Sequence, residues 1–149
     1  TGPKWRLANA YFAIGQRARA EDVLTPYPTG SSPSDRRIQA TLASVLAARG
    51  ARAEAASVVK PILAGGFMDH HIAYDLGAMY AQLGEFSDAK RWLAQAVTTG
   101  FPCSPWFVRN PLLDPLRADP EFQRFMACLK RSWQKLAEKY GSNIARELR

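Results

Sequence analysis

Leu76-Gly77-Ala78-Met79-Tyr80-Ala81-Gln82-Leu83-Gly84-Glu85-Phe86-Ser87-Asp88-Ala89 holds two helix halves and the break between them. Apolar residues three and four apart on either side of Gly84 describe two amphipathic stripes. Glycine between them ends the first helix at little steric cost. The same stretch recurs 34 residues earlier around Gly50, pairing Leu42 with Leu76, Ala43 with Gly77, Leu46 with Tyr80, Ala55 with Ala89, Val59 with Leu93, Gly66 with Gly100 and Phe67 with Phe101. An earlier copy, with a connection one residue longer, carries Leu7, Ala8, Tyr11, Gly15, Ala20 and Leu24 in equivalent places. A fixed period of this length is the mark of a helical repeat. Three copies are expected, at 1–35, 36–69 and 70–103, followed by a C-terminal segment at 104–149 that caps the stack as part of one continuous domain.

Small residues fix the packing expected within each copy. Ala8, Ala43 and Gly77 in the first helices, and Ala20, Ala55 and Ala89 in the second, stand where antiparallel axes cross closely and a larger side chain would force them apart. The expected architecture is all-α, a right-handed α-solenoid of about three helix pairs. Two features interrupt it. Pro26 and Pro61 share an offset late in the second helices, where each is expected to kink or end its helix. The stretch 26–34, rich in Pro, Gly, Ser and Thr, reads as an exposed loop.

The pattern resembles the tetratricopeptide repeat, most closely in the third copy: Leu76-Gly77, Tyr80, Gly84, Phe86, Ala89, Leu93 and Ala96. In the first two copies Tyr27 and Ile62 replace the last alanine. The segment Pro105-Trp106-Phe107, Asn110-Pro111-Leu112-Leu113-Asp114-Pro115-Leu116-Arg117 and Asp119-Pro120-Glu121-Phe122 is similar to the closing segment of such arrays in bacterial signalling and regulatory proteins. There the arrays commonly follow a kinase, a nucleotide cyclase or a winged-helix domain. Read directly, Asn110 and Asp119 are N-caps, with Pro111 and Pro120 at first helical positions. A short helix and a long one should follow. Phe122, Phe125, Met126, Leu129, Trp133 and Leu136 form the apolar stripe of the long one, which Gly141 is expected to end.

By resemblance, ligand-facing residues come from the first helices. They are Trp5, Asn9 and Phe12 in the first copy, Arg37 and Ser44 in the second, and His71, Tyr74 and Gln82 in the third. Family members that grip a terminal carboxylate use Lys, Arg and Asn here, and Asn9 alone answers to that clamp. The resemblance thus implies a non-catalytic module that binds a partner protein or peptide. Self-association, or regulation of a larger kinase, cyclase or transcription regulator, is the competing expectation, and a nucleic-acid-binding helical array ranks behind it.

Composition agrees with a soluble helical chain. It has 149 residues, 47% hydrophobic and 22% charged. No apolar run is long enough to span a bilayer, and the start lacks a secretory layout, so a cytoplasmic location is expected. The chain opens on a first helix and reads as the C-terminal piece of a longer protein. Its net charge of +7 divides as +1, +3, −1 and +4 over 1–35, 36–69, 70–103 and 104–149. Charge this diffuse favours acidic partners at long range and argues against a dedicated nucleic-acid surface. Lys130, Arg131, Lys135 and Lys139, with Trp133 and Tyr140, read first as the solvated back of an amphipathic helix whose aromatic is core, and second as a basic edge for nucleic acid or an acidic partner.

No catalytic, cofactor or metal site is expected. Cys103 and Cys128 lack zinc-ligand spacing and read as reduced thiols. His70 and His71 project about 100 degrees apart on a helix, too divergent to share a metal. Asp69 before them reads as an N-cap. No phosphate-cradling glycine run is present.

Overall fold

Each of the three glycines at the break closes its helix in the same way. In the computed structural model, which describes residues 4–25, 30 and 32–147, Gly15, Gly50 and Gly84 have φ of 79°, 86° and 78°. The next residue's N–H then reaches back over the helix end: Gln16 to the Tyr11 carbonyl at 2.9 Å, Ala51 to Leu46 at 3.0 Å, and Glu85 to Tyr80 at 2.9 Å. This is the left-handed helix stop that glycine permits, and it starts the following helix at once.

Among the described residues every regular element is a helix and no strand occurs. In order they form α1 (Lys4–Ala13), α2 (Arg17–Leu24), α3 (Pro33–Ala48), α4 (Arg52–Leu63), α5 (His70–Gln82), α6 (Phe86–Thr98), α7 (Ser104–Arg109), a 3-10 turn (Pro111–Leu116) and α8 (Pro120–Glu147). Helix α1 packs on α2, α3 on α4 and α5 on α6, while α3 also touches α1 and α5. None of the described helices is long and apolar enough to cross a membrane.

The small residues sit at the closest approaches. Ala8, Ala20, Ala43, Ala55 and Ala89 have no exposed surface. At Gly77 a Cβ would lie 2.7 Å from Leu93 Cγ and 3.2 Å from the Ala89 carbonyl oxygen. Alanine there gains helix propensity worth about 0.5–1 kcal/mol. It also pushes against a branching carbon and a backbone atom, an overpacking cost of about 1–3 kcal/mol. The clash is larger, so Gly77→Ala should destabilise the fold in urea unfolding; a gain in stability would show that α5 and α6 are not tightly apposed here.

Several expectations are corrected by the structure. Helix α3 begins at Pro33, three residues before the expected boundary of the second copy, because Ser32 caps it: its hydroxyl accepts from Asp35 N–H at 3.1 Å. Pro33 and Ser34 are therefore helical rather than loop. Pro26, Tyr27, Pro28 and Thr29 lie outside the described residues, as does Ser31. Pro61 is accommodated inside α4, which ends two residues later. Gly141 does not end α8, which continues to Glu147. A lone glycine costs a helix about 1 kcal/mol but does not stop it without a left-handed turn, and Gly141 is not among the residues with positive φ.

Asn110 and Asp119 do cap their segments, accepting from Leu112 N–H at 3.0 Å and Phe122 N–H at 2.8 Å. Phe122 and Leu129 of the α8 stripe are buried, whereas Leu136 is 38% and Tyr140 50% exposed. The first half of α8 therefore covers the body and the described part beyond Trp133 stands away from it.

Candidate functional site

The first helices meet over a cavity of about 340 Å3. Helix α1 contributes Trp5, Arg6, Asn9, Ala10 and Ala13; α5 contributes His71, Tyr74 and Asp75; Phe101 and Trp106 close the C-terminal side. Trp5, Asn9 and Ala13 are four apart, and His71, Tyr74 and Asp75 are three and four apart, so each group shares one helix face. A second hollow of about 280 Å3 shares Asn9, Ala13 and Trp106 and runs on toward Cys103, Arg109 and Asn110. Together they form an apolar groove with a few polar groups, the usual make-up of a ligand site.

Helix α3 lies enclosed, with Ala40, Thr41 and Ser44 fully buried. Helices α1 and α5 meet directly, the Trp5 and His71 ring centroids being 5.3 Å apart. Aromatic contacts continue from His71 to Phe101 at 5.1 Å, Phe101 to Tyr74 at 5.5 Å, and Tyr74 to Phe107 at 4.9 Å and Trp106 at 6.5 Å. Tilted and edge-on pairs are the arrangements that aromatic rings favour.

Asp69 sets the start of α5, accepting from His71 N–H at 3.0 Å and Ile72 N–H at 2.9 Å. Arg37 of α3 donates to the same carboxylate, its Nε at 2.6 Å. Partial burial raises the Asp69 pKa, but the Ile72 N–H and the Arg37 guanidinium outweigh it and hold the carboxyl below its ordinary value. At His71 burial leads, with help from His70, and lowers the pKa despite Asp69, favouring the neutral imidazole.

Asp75 is the site's most perturbed carboxyl. It is 5% exposed and lines the cavity, and its Oδ2 accepts from the Thr41 hydroxyl on α3. Burial pushes its pKa up to about 7, with Thr41 opposing and Asp69 adding to the rise. Tyr74 is driven well above the ordinary tyrosine value, first by burial and then by Asp75. The Tyr74 hydroxyl and His71 Nδ1 are buried without a hydrogen-bond partner, and such groups are uncommon in folded proteins.

The structure gathers Trp5, Asn9, His71 and Tyr74 of the sequence-expected residues at this cavity. Phe12 is 4% exposed and Ser44 has no exposed surface, its hydroxyl donating to the Thr41 carbonyl at 2.8 Å, so neither offers a face to a partner. Arg37 is committed to Asp69, and Gln82 donates to the Leu112 carbonyl at 2.7 Å, tying α5 to the 3-10 turn. Arg6, Asp75, Phe101 and Trp106 went unrecognised as site residues. A single Asp within the apolar run Ile72–Met79 was a usable signal for Asp75; the others reach the cavity through tertiary folding. Among the described residues, no group of three or more His, Cys, Asp or Glu is arranged to hold a metal ion.

A scan against protein-family models found no match, and neither did comparison with curated proteins or with solved structures.

Proposed function

We propose that this chain is a tetratricopeptide-like array, three helix pairs stacked as a right-handed α-solenoid, that binds a segment of a partner protein in the groove between α1, α5 and α7. It works without catalysis, as the interaction part of a larger cytoplasmic signalling or regulatory protein of bacterial type. The observation that carries this reading is the groove: aromatic walls formed by residues far apart in sequence, with buried polar atoms left unpaired. Aromatic side chains concentrate binding energy at such sites, and truncating one at an interface centre typically costs about 2 kcal/mol or more.

Trp106 is the residue to test, because it lines both hollows and is 38% exposed, whereas Tyr74 is buried at 2% and its truncation would damage the core. Trp106→Ala should weaken capture of peptides selected on the whole chain by about tenfold or more, with helicity unchanged by circular dichroism. Undiminished capture would reject this face.

Self-association is the second reading, favoured by the exposed Leu7 and Ile14 of α1 and the exposed Leu136 and Tyr140 of α8. Light scattering across a concentration series separates the two: a monomer at high concentration leaves peptide binding standing alone.

A further inference from the structure

We infer that the cavity at Tyr74 and Asp75 takes a methylated lysine side chain of the partner peptide, its ammonium head held among aromatic rings against the Asp75 carboxylate. This rests on the peptide-binding reading above and specifies its chemistry.

Three observations converge on a cation with apolar substituents. Trp5, Tyr74, Phe101 and Trp106 all line the cavity, and aromatic faces attract cations through their negative quadrupole. Asp75 lines the same cavity, nearly buried with Oδ2 on the Thr41 hydroxyl; burial alone keeps its carboxyl neutral up to about 7, and a cation facing it favours the ionised form. The Tyr74 hydroxyl and His71 Nδ1 bring no charge that would repel a cation, since burial favours the neutral form of each. An anion would meet ring faces and the Asp75 carboxyl, with Arg6 alone in its favour.

Size and hydration select within the cations. At about 340 Å3 the cavity is near the lower end of ligand pockets, enough for one side chain rather than a folded element. A bare lysine ammonium is a compact, strongly hydrated charge that gives up water reluctantly. Methylation spreads that charge over apolar surface, and an aromatic enclosure is the known physical answer to it. Arg6 also lines the cavity, its guanidinium carbon 5.0 Å from the Trp5 ring centroid. That ring already engages a cation, and Arg6 competes with an incoming one.

The test uses the whole chain and three pentapeptides with uncharged flanks, carrying trimethyllysine, lysine or norleucine at the centre. Titrations at pH 8 follow the indole N–H signals of Trp5 and Trp106, with Trp92 and Trp133 as internal references. Trimethyllysine should bind about tenfold tighter than norleucine and tighter than lysine. Asp75→Asn should bring trimethyllysine and norleucine to within about twofold, and Arg6→Ala should strengthen trimethyllysine binding by removing a competing charge. Equal binding of norleucine in the unmodified chain would overturn the inference while leaving an apolar peptide groove. Unchanged or weaker trimethyllysine binding in Arg6→Ala would overturn it, because removing a cation from the cavity can only relieve repulsion of another cation seated there. Silence at both Trp5 and Trp106 with all three peptides would remove the cavity as the binding place altogether.

Discussion

Asp75→Asn is expected to make the protein more stable at pH 8 and nearly unchanged at pH 4. Asp75 titrates at about 7 in the folded protein, against about 3.9 in an unfolded chain. Between these values the folded state holds a proton that the unfolded state has released, so stability falls as pH rises. Below about 4 the carboxyl is neutral in both states and costs nothing as a charge. Above about 7 the full penalty applies, on the order of 4 kcal/mol.

Asparagine stays neutral throughout, and its side-chain oxygen can still accept from Thr41. Urea unfolding of both proteins at pH 4, 6 and 8 should therefore show a gap that opens with pH. The charged neighbours do not reproduce that pattern. Asp69, the charged group that adds to the rise at Asp75, is paired with Arg37. His71 works in the opposite sense, since its lowered pKa makes stability rise with pH just below its ordinary 6.5. A gap that stays constant with pH would mean that Asp75 is ionised and well solvated in the folded state.

Phe107→Ala should carry the largest cost among the C-terminal residues, about 3–5 kcal/mol. Phe107 is fully buried, and its ring meets Tyr74 at 4.9 Å, Phe101 at 5.9 Å and Phe125 at 6.0 Å. It thus pins α7 and α8 to α5 at one point. Its carbonyl is held as well, accepting from Arg117 Nη2 at 2.8 Å, with the same nitrogen donating to Val108 at 2.9 Å and Asn110 at 3.2 Å. Val108, 58% exposed in the same helix, supplies the control, since Val108→Ala should stay within about 0.5 kcal/mol. A loss below about 1 kcal/mol for Phe107→Ala would mean that the C-terminal segment is not docked on α5 as described.

How far the sequence could be read follows from the range of each interaction. The three glycine stops and the small residues at the crossings were legible because they are local requirements of backbone and helix spacing, repeated at a fixed interval. Asn110 and Asp119 were legible because a cap acts over two or three residues. Helix α7 was not, since six residues, Pro105 among them, carry too short a stripe. The length of α8 was missed because a helical glycine was taken for a stop.

At the site, Trp5, Asn9, His71 and Tyr74 could be placed from their positions in the first helices. Ser44 and Phe12 could not be separated from them, because periodicity gives the face of a helix and not what covers it. Phe101 and Trp106 enter the cavity from outside the first helices, where no periodic pattern points to them.

Amide chemical shifts of the whole chain, recorded with and without a peptide selected from a random library, decide whether this groove is where the protein meets its partner. The largest changes should fall on Trp5, Asn9, His71, Tyr74, Asp75 and Trp106. Changes confined to the outer faces of α4 and α6, or to the exposed part of α8, would place binding elsewhere and undo the proposed function.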